Sequence, residues 1–267
     1  MTLAGLTVGF FGLGEAGSLI SADLAAAGAA VTGYDPAPTG TPPRVRRVAD
    51  PRAAVEGADL VMAVTAAGDA MGALTQALDA IPAGAVYADL ATASAQRKRD
   101  LAEVAASRSL LFADVALMAM VPGNGLFGRS LASGPGAERY VGTLAPIGVP
   151  VEWIGDEPGL AATRKLLRSV VMKGLPALII ESLRAAAVAG LTDETWENLI
   201  GQISSADETF MRTLLEGTAT HSIRRTAEME AATELLESLG VDPLMTRATT
   251  EIHRRMPGDG LAEIPPP

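Results

Sequence analysis

A glycine-rich loop near the N-terminus has the spacing of a phosphate-binding turn. The segment Gly12-Leu13-Gly14-Glu15-Ala16-Gly17 follows the apolar run from Thr7 to Phe11 and precedes residues with helical spacing. In such a loop the first glycine makes the tight turn, the second lets a pyrophosphate approach the backbone, and the third lets helix and strand pack closely. Free amides at the helix start would bind the phosphates of a dinucleotide. All six residues are therefore predicted to bind cofactor.

An acidic residue follows this loop at the distance expected for ribose recognition. Asp35 lies 18 residues after Gly17 and ends the second predicted strand. A carboxylate there would accept hydrogen bonds from the ribose diol and repel a 2'-phosphate, which favours NAD. Three nearby cations could bind the additional phosphate of NADP instead, namely Arg44, Arg46 and Arg47. The sequence thus favours NAD and leaves NADP open.

Hydride transfer also needs a group that moves the hydroxyl or carbonyl proton, and a lysine is the leading candidate. Lys165 lies in an otherwise apolar helical segment, and desolvation of a buried lysine lowers its pKa towards neutrality. Arg168 falls on the same helical face and could bind an anionic substrate or form an ion pair. Lys173 is rotated away by about 80° and is a weaker candidate. The alternative for Lys165 is a side chain that reaches solvent from a helix edge or subunit interface.

The elements that would position these residues form two regions. Residues 1–156 alternate between strand-like and helix-like segments, beginning with strand 7–11, a helix from about Ala16 to Ala27, and strand 30–34. Further strands are expected within "ADLVMAVTAA", "GAVYADLATAS" and "SLLFADVALM", with a short helix near 51–56 and a last helix and short strand within "ERYVGTLAPIGVPVEWIG". Continuous apolar strands predict a parallel sheet covered on both faces. The predicted class is α/β, with an N-terminal Rossmann domain.

Residues 157–267 are predicted to be an all-helical domain for substrate binding and dimerisation. Leu160 to about Ala189 forms a long interdomain helix of about 45 Å with a kink or break at Pro176. Three more helices are expected, starting near 192–194, running from Ser222 to Gly240, and running from the Asp242 cap to Pro257. The long helix is apolar on most sides and too few residues remain to cover it, which predicts a homodimer.

Composition excludes several kinds of site. The chain of 267 residues carries a net charge of -10, which disfavours nucleic acid and anionic membranes, and an anionic substrate would need a local basic pocket. Without cysteine there is no disulfide or thiolate chemistry, and two distant histidines make a metal site unexpected. With no basic leader and no clean apolar stretch of about 18 residues, we expect a cytoplasmic protein.

Several segments together resemble the β-hydroxyacid dehydrogenase superfamily, which includes 3-hydroxyisobutyrate and 6-phosphogluconate dehydrogenases. "VGFFGLGEAG" resembles its opening motif, "VYADLATAS" its Asp-x-Ser-Thr segment, and "FADVALMAMVPGNG" its substrate loop. The long helix resembles the one that carries the family's catalytic lysine, which the resemblance places at Lys165. "HSIRRTAEMEAATELLESLGVDP" and "RKLLRSVVMKG" are most similar to a phosphogluconate-dehydrogenase-like branch whose C-terminal domain has no assigned function.

The resemblance implies further site residues and also shows departures from the family pattern. Thr65 and Thr92 join the predicted cofactor residues, and Ala91 stands where serine is usual. Met118 and Ala119 fall in the resembling substrate loop, and Asn124, Arg168 and His221 are further substrate candidates by their residue types and positions. His221 and Arg224 would close the substrate site from the same or the partner subunit. Met118 and Ala119 replace a serine and a glycine that grip a substrate carboxylate, and methionine cannot donate a hydrogen bond. Asn124 could donate instead or be a turn residue, and His221 could belong to a charged helix surface.

Three functions remain open at this stage. The leading one is an NAD(P)-dependent dehydrogenase or reductase that acts on a small hydroxyacid or keto acid, with Lys165 as general acid/base. An imine reductase acting on a C=N substrate is an alternative, although such enzymes usually carry Asp or Tyr where Lys165 stands. A non-catalytic dinucleotide-binding protein is the third possibility, and the altered substrate loop motivates it. For the dehydrogenase and for the imine reductase the expected partner is a small-molecule substrate, and an anionic substrate is one possibility for the dehydrogenase.

Overall fold

Eight strands in one sheet organise the N-terminal part of the chain in the computed structural model, which describes residues 2–37 and 40–266. The strands are β1 (Thr7–Phe11), β2 (Ala30–Tyr34), β3 (Arg46–Arg47), β4 (Leu60–Ala63), β5 (Val86–Asp89), β6 (Leu111–Leu117), β7 (Ser130–Ser133) and β8 (Val151–Trp153). Their order is β3-β2-β1-β4-β5-β6-β7-β8. The first six strands in this order have the arrangement of a Rossmann sheet, as predicted.

Two strands of the sheet, β7 and β8, run opposite to the other six, because β7 is antiparallel to β6 and β8 is parallel to β7. β1 to β6 pair in parallel, but β7 is antiparallel to β6, so the prediction of an entirely parallel sheet was incomplete. β7 was also not recognised in the sequence. The segment between β6 and β7 contains a short 3-10 turn, Gly125–Phe127, instead of a crossover helix. Without such a crossover the chain can only turn back on itself, which makes the pair antiparallel.

Helices cover both faces of this sheet. They are α1 (Glu15–Ala26), α2 (Pro51–Val55), α3 (Ala70–Thr75), α4 (Ala95–Ala106) and α5 (Ala137–Leu144). Phe10 and Phe11 are consecutive, both are buried, and they belong to two different hydrophobic clusters because alternate strand side chains point to opposite faces. Burial on both faces explains why the strands are continuously apolar in sequence.

The long helix α6 (Leu160–Ala189) has the bounds that the sequence predicts. It continues through Pro176, so the alternative of a break into two helices was wrong. A proline removes one backbone hydrogen bond of a helix. Here the helical segments before and after Pro176 are each several turns long, so the helix continues through it. Contacts within the chain divide it into two units, Met1–Arg168 and Ser169–Pro267, and α6 contributes residues to both. The domain boundary at 156/157 remains a sequence-based prediction.

Four helices follow α6, where the sequence predicted three: α7 (Thr192–Ser204), α8 (Glu208–Thr220), α9 (Ser222–Ser238) and α10 (Leu244–Asp259). The helix that was not predicted is α8. It begins after Asp207, whose carboxylate accepts a hydrogen bond from the Phe210 amide at 2.8 Å and so caps a new helix. Within the second unit, α9 packs against α10.

The start of α10 is also capped differently from the prediction. Asp242 is not its cap; Pro243 precedes the helix and offers no side-chain hydrogen bond. Instead, the buried Glu181 of α6 accepts from the amides of Met245 and Thr246, both at 2.8 Å. Burial opposes ionisation of Glu181, but these hydrogen bonds and the one from the Thr246 hydroxyl outweigh it, and the pKa of Glu181 is lowered.

The second unit exposes many large apolar side chains. Neither α7 nor α8 contains a buried residue. Exposed apolar residues include Val170, Val171, Met172, Leu175, Trp196, Ile200, Ile203, Met211, Leu214 and Leu215. Large contiguous apolar patches on the surface of a soluble protein are typical of interaction surfaces.

Candidate cofactor cleft and catalytic helix

The three glycines of the loop between β1 and α1 meet different steric conditions. Gly12 has a φ of +86°, and a Cβ atom added there would lie 2.1 Å from the Val64 carbonyl oxygen. A Cβ at Gly17 would lie 1.9 Å from the Gly12 carbonyl oxygen, so only glycine permits this close packing. A Cβ at Gly14 would meet no atom within 4 Å. The first and third glycines are thus required by the fold, whereas the second leaves space for a ligand.

A cavity of about 550 Å³ lies over this loop. Four of the predicted cofactor residues line it, Gly12, Gly14, Asp35 and Thr65. The remaining lining residues are Phe11, Tyr34, Pro36, Ala37, Val64, Ala66, Gly68, Asp69, Gly72, Ala73 and Gln76. The cavity has the size of a small-molecule site, which typically spans about 300–1,000 Å³.

Two polar features of the cleft fit a bound dinucleotide. Helix α1 begins at Glu15 without a side-chain cap, because Gly14 occupies the cap position. Its first amides can therefore donate to a phosphate. The Thr65 hydroxyl is buried and has no hydrogen-bond partner among the described residues. A buried hydroxyl without a partner is costly, and a polar group of a ligand would satisfy it.

Asp35 connects the end of β2 to the glycine loop. One carboxylate oxygen accepts from the Leu13 amide at 2.6 Å, and the other accepts from the Ala37 amide at 2.8 Å. Each carboxylate oxygen can accept a second hydrogen bond, so both remain able to bind ribose hydroxyls. The structure therefore gives Asp35 a part in shaping the loop, which the sequence did not indicate.

The three arginines considered for a 2'-phosphate differ in their surroundings. Arg47 is half-buried and donates to the carbonyl oxygens of Asp35 at 3.0 Å and Ala37 at 2.5 Å. It lines a second cavity of about 640 Å³, which also borders Asp35. Arg44 and Arg46 are exposed. Arg47 is thus the arginine that is positioned beside the expected ribose site.

A buried charge cluster lies at the end of β5 and the middle of β6, and it was not predicted from the sequence. The Lys98 ammonium of α4 lies 2.6 Å from the Asp89 carboxylate and 3.1 Å from the Asp114 carboxylate. It also donates to the Asp89 carbonyl oxygen at 2.9 Å. All three residues are 0% exposed. Burial raises the pKa of Asp89, and the Lys98 charge opposes that rise.

The same cluster fixes the start of α6. Asp114 accepts from the Ala162 amide at 2.9 Å, and the Ser133 hydroxyl accepts from the Ala161 amide at 3.0 Å. Lys165 follows Ala161 by four residues, so it lies on the helix face that Ala161 buries against the sheet. Lys165 is itself half-buried. The candidate catalytic lysine therefore stands one turn beyond an anchored helix terminus.

The other predicted site residues are more dispersed. Met118 and Ala119 are half-buried after β6, whereas Thr92 and Arg168 are exposed. Thr92 is not among the residues that line the cleft. His221 is exposed between α8 and α9 in the second unit, and the neighbouring Arg224 forms an ion pair with Glu228. The structure brings Gly12, Gly14, Asp35 and Thr65 together and does not add Thr92 to them.

Asn124, predicted to contact substrate or form a turn, is exposed and has a local partner. Its side-chain amide donates to the Met120 carbonyl oxygen at 2.8 Å and so holds the loop after β6 in shape. The loop is also tied to α1, because the Asp23 carboxylate accepts from the Leu126 amide at 2.8 Å. This contact joins the segment with the predicted substrate residues to the helix that starts the cofactor cleft.

Among residues 2–37 and 40–266, no helix is both long and apolar enough to cross a membrane. The same residues contain no group of three or more His, Cys, Asp or Glu side chains suited to holding a metal ion.

Comparisons with known proteins agree with this architecture. Residues 7–118 match the NAD binding domain of 6-phosphogluconate dehydrogenase, and residues 186–256 match a domain of unknown function, DUF1932. An uncharacterised 28.5 kDa protein of Methanothermus fervidus is 30% identical over 128 residues, which cover 48% of this chain and 51% of that protein. The match thus spans about half the length of this curated relative.

Two solved structures are similar over nearly the whole chain. One is a conserved protein of unknown function with structural similarity to 3-hydroxyacid dehydrogenases; it is 27% identical, with 94% of this chain and 96% of the other covered and a TM-score of 0.57. The other is an imine reductase from Streptomyces aurantiacus, 24% identical, with 96% of both chains covered and a TM-score of 0.74, a likeness of fold. The comparisons therefore show a similarity to the NAD binding domain of 6-phosphogluconate dehydrogenase over residues 7–118 and to DUF1932 over residues 186–256.

Proposed function

We propose that the protein is an NAD(P)-dependent oxidoreductase that reduces or oxidises a small hydroxyacid or keto acid. The observation that carries this proposal is the cleft over the glycine loop. There the start of α1 is uncapped, the space above Gly14 is open, and the Thr65 hydroxyl lacks a partner. These features match what a dinucleotide needs from its protein.

In this proposal, residues of the glycine loop and its neighbours bind the cofactor, and Lys165 transfers the proton. The amides at the start of α1 bind the diphosphate, Asp35 binds the ribose, and the Thr65 hydroxyl binds a polar group of the dinucleotide. The cofactor, when bound, supplies or accepts the hydride. Lys165 donates a proton to the substrate oxygen in reduction and removes it in oxidation. Its half-buried place on an anchored helix supports this role.

A second candidate is reduction of a C=N substrate. Met118 and Ala119 favour it, because neither side chain offers a hydrogen bond to a carboxylate and both are half-buried. A loop with these residues suits a less polar substrate than a hydroxyacid. The likeness of fold to an imine reductase is compatible with this candidate.

Turnover assays distinguish these possibilities. We expect oxidation of NADH or NADPH, followed by absorbance at the nicotinamide band, with at least one class among keto acids, aldehydes and imines. Activity with keto acids supports the first candidate, and activity confined to imines supports the second. Tight dinucleotide binding without turnover on the whole panel would favour a non-catalytic binding protein and contradict the proposed activity.

We propose NAD as the preferred cofactor, on the strength of Asp35. Asp35→Ala removes the acceptor for the ribose diol and the repulsion of a 2'-phosphate, so it should weaken NADH binding by about tenfold and NADPH binding less. Titration of both dinucleotides, followed by nicotinamide fluorescence, measures the two Kd values. An equal loss for both would show that Asp35 does not read the ribose. Arg46→Ala, at an exposed neighbouring site, is the control.

We also propose a homodimer in which the second unit meets a second copy. Support comes from the exposed apolar residues of α6, α7 and α8. Light scattering coupled to size exclusion should give twice the chain mass of 27.3 kDa. Trp196→Glu together with Leu214→Glu should shift the protein to the monomer mass, because buried unpaired carboxylates are costly in an interface. A wild-type monomer at micromolar concentration would contradict the proposal.

A further inference from the structure

Lys98 bridges two carboxylates that the sheet places side by side. Asp89 of β5 and Asp114 of β6 are direct partners in the parallel register, and both are 0% exposed. Two like charges buried at this spacing repel each other strongly unless a cation joins them. Lys98 is that cation, and its position on α4 is fixed by the ion pairs of 2.6 Å and 3.1 Å.

Three segments that carry proposed site residues begin at this cluster. The segment after Asp89 leads to Thr92, and the segment after Asp114 leads to Met118. The first turn of α6 is bound through the Ala162 amide to Asp114, and Lys165 follows. The partly positive amides at the start of α6 also oppose the excess negative charge of the two carboxylates.

Stability alone does not explain such an arrangement. Replacing a buried ion pair by apolar side chains of similar volume is often neutral or stabilising, because desolvation of the charges offsets their attraction. What such a cluster adds is fixed geometry through its directional hydrogen bonds: Oδ2 of Asp89 accepts from Lys98 and Oδ2 of Asp114 accepts from the Ala162 amide, whereas Oδ1 of each aspartate has no hydrogen-bond partner among the described residues. Here the directed partners include the backbone of the helix that carries Lys165.

We propose that Lys98 is a positioning residue for the reaction, which holds Asp114 and thereby the first turn of α6 so that Lys165 is aligned for proton transfer. This inference rests on the proposed function. Lys98 itself does not touch substrate in this account. Its effect passes through the contacts from Lys98 to Asp114, from Asp114 to Ala162, and along one helical turn to Lys165.

The test compares two variants of α4 in the full chain. Lys98→Met removes the cation, whereas Leu101→Ala creates a cavity on the same helix at a residue that is also 0% exposed. Both should lower Tm. Hydrogen exchange of the protein without cofactor should accelerate in residues 160–166 for Lys98→Met only. With a substrate found in the assays above, kcat should fall by about tenfold or more for Lys98→Met and stay within about twofold for Leu101→Ala, with dinucleotide Kd unchanged in both.

Equal exchange in residues 160–166 of the two variants would overturn the inference, and so would an unchanged kcat for Lys98→Met. If Lys98→Met does not fold, Asp114→Asn replaces it, because that change removes the ion pair with Lys98 and weakens the acceptor for the Ala162 amide while it also removes one buried negative charge. Unchanged exchange in Asp114→Asn would then overturn the inference. A wild-type protein without turnover would defeat the proposed function, and the exchange comparison would still decide whether the cluster holds α6.

Discussion

Lys165→Ala is expected to lower kcat by about 10²–10⁴-fold, the usual contribution of a positioned general acid or base. The Kd of NADH and NADPH should stay within about threefold, because Lys165 lies on α6 and the dinucleotide is bound by the loop before α1. Lys165 has a half-buried position one turn beyond the anchored start of its helix. Steady-state kinetics together with a fluorescence titration of cofactor measure both quantities.

Two neighbouring variants make this prediction specific. Lys173→Ala removes an exposed lysine from the same helix and should leave kcat within about twofold. Arg164→Ala removes the cation that precedes Lys165 and tests whether the family resemblance assigns the correct position. Full activity of Lys165→Ala would remove this lysine from the mechanism. A large loss in Arg164→Ala alone would transfer the role to Arg164.

Gly14→Asp should abolish dinucleotide binding, with a loss of at least about 100-fold in Kd, or about 2.8 kcal/mol. A side chain at this position projects into open space, where the diphosphate is expected. The carboxylate would also accept from the first amides of α1 and repel the phosphates. Gly14 has a φ of -66° and a ψ of -165°, which any residue can adopt. The fold should therefore be retained, with Tm unchanged or raised by the new cap.

Comparing Gly14→Asp with Gly17→Ala distinguishes an effect on dinucleotide binding from an effect on the stability of the fold. A Cβ at Gly17 would lie 1.9 Å from the Gly12 carbonyl oxygen, so this smaller change should lower Tm although it adds no charge. Thermal unfolding and dinucleotide titration of both variants provide the comparison. If Gly14→Asp bound NADH as tightly as the wild type, the diphosphate could not lie over this loop.

Features set by local sequence were largely predictable. The glycine loop, the first two strands and the bounds of α6 follow from short-range patterns of glycine, apolar runs and helical spacing. β7 was not predicted because it has only four residues and follows a loop instead of a crossover helix. No local sequence pattern indicates such a strand. The start of α8 depends on one capping aspartate, Asp207, within a polar stretch that offers several candidates.

The cluster around Lys98 shows why part of the site could not be predicted. Lys98 stands in "QRKRD", a run of charges that is typical of a solvent-exposed helix face. Only the register of β5 and β6 reveals that Asp89 and Asp114 are opposite each other and require a cation. A signal did exist in the sequence, since each aspartate interrupts or ends a buried apolar strand and directly follows three apolar or small residues. The pairing of these two strands, however, is long-range information.

A crystal structure of the protein with NADH bound tests the central claim most directly. We predict that the diphosphate lies against the amides of residues 14–17, that Thr65 donates to the dinucleotide, and that the Lys165 amine faces the nicotinamide ring. A diphosphate bound elsewhere, or a Lys165 amine that points away from the nicotinamide into solvent, would contradict the account.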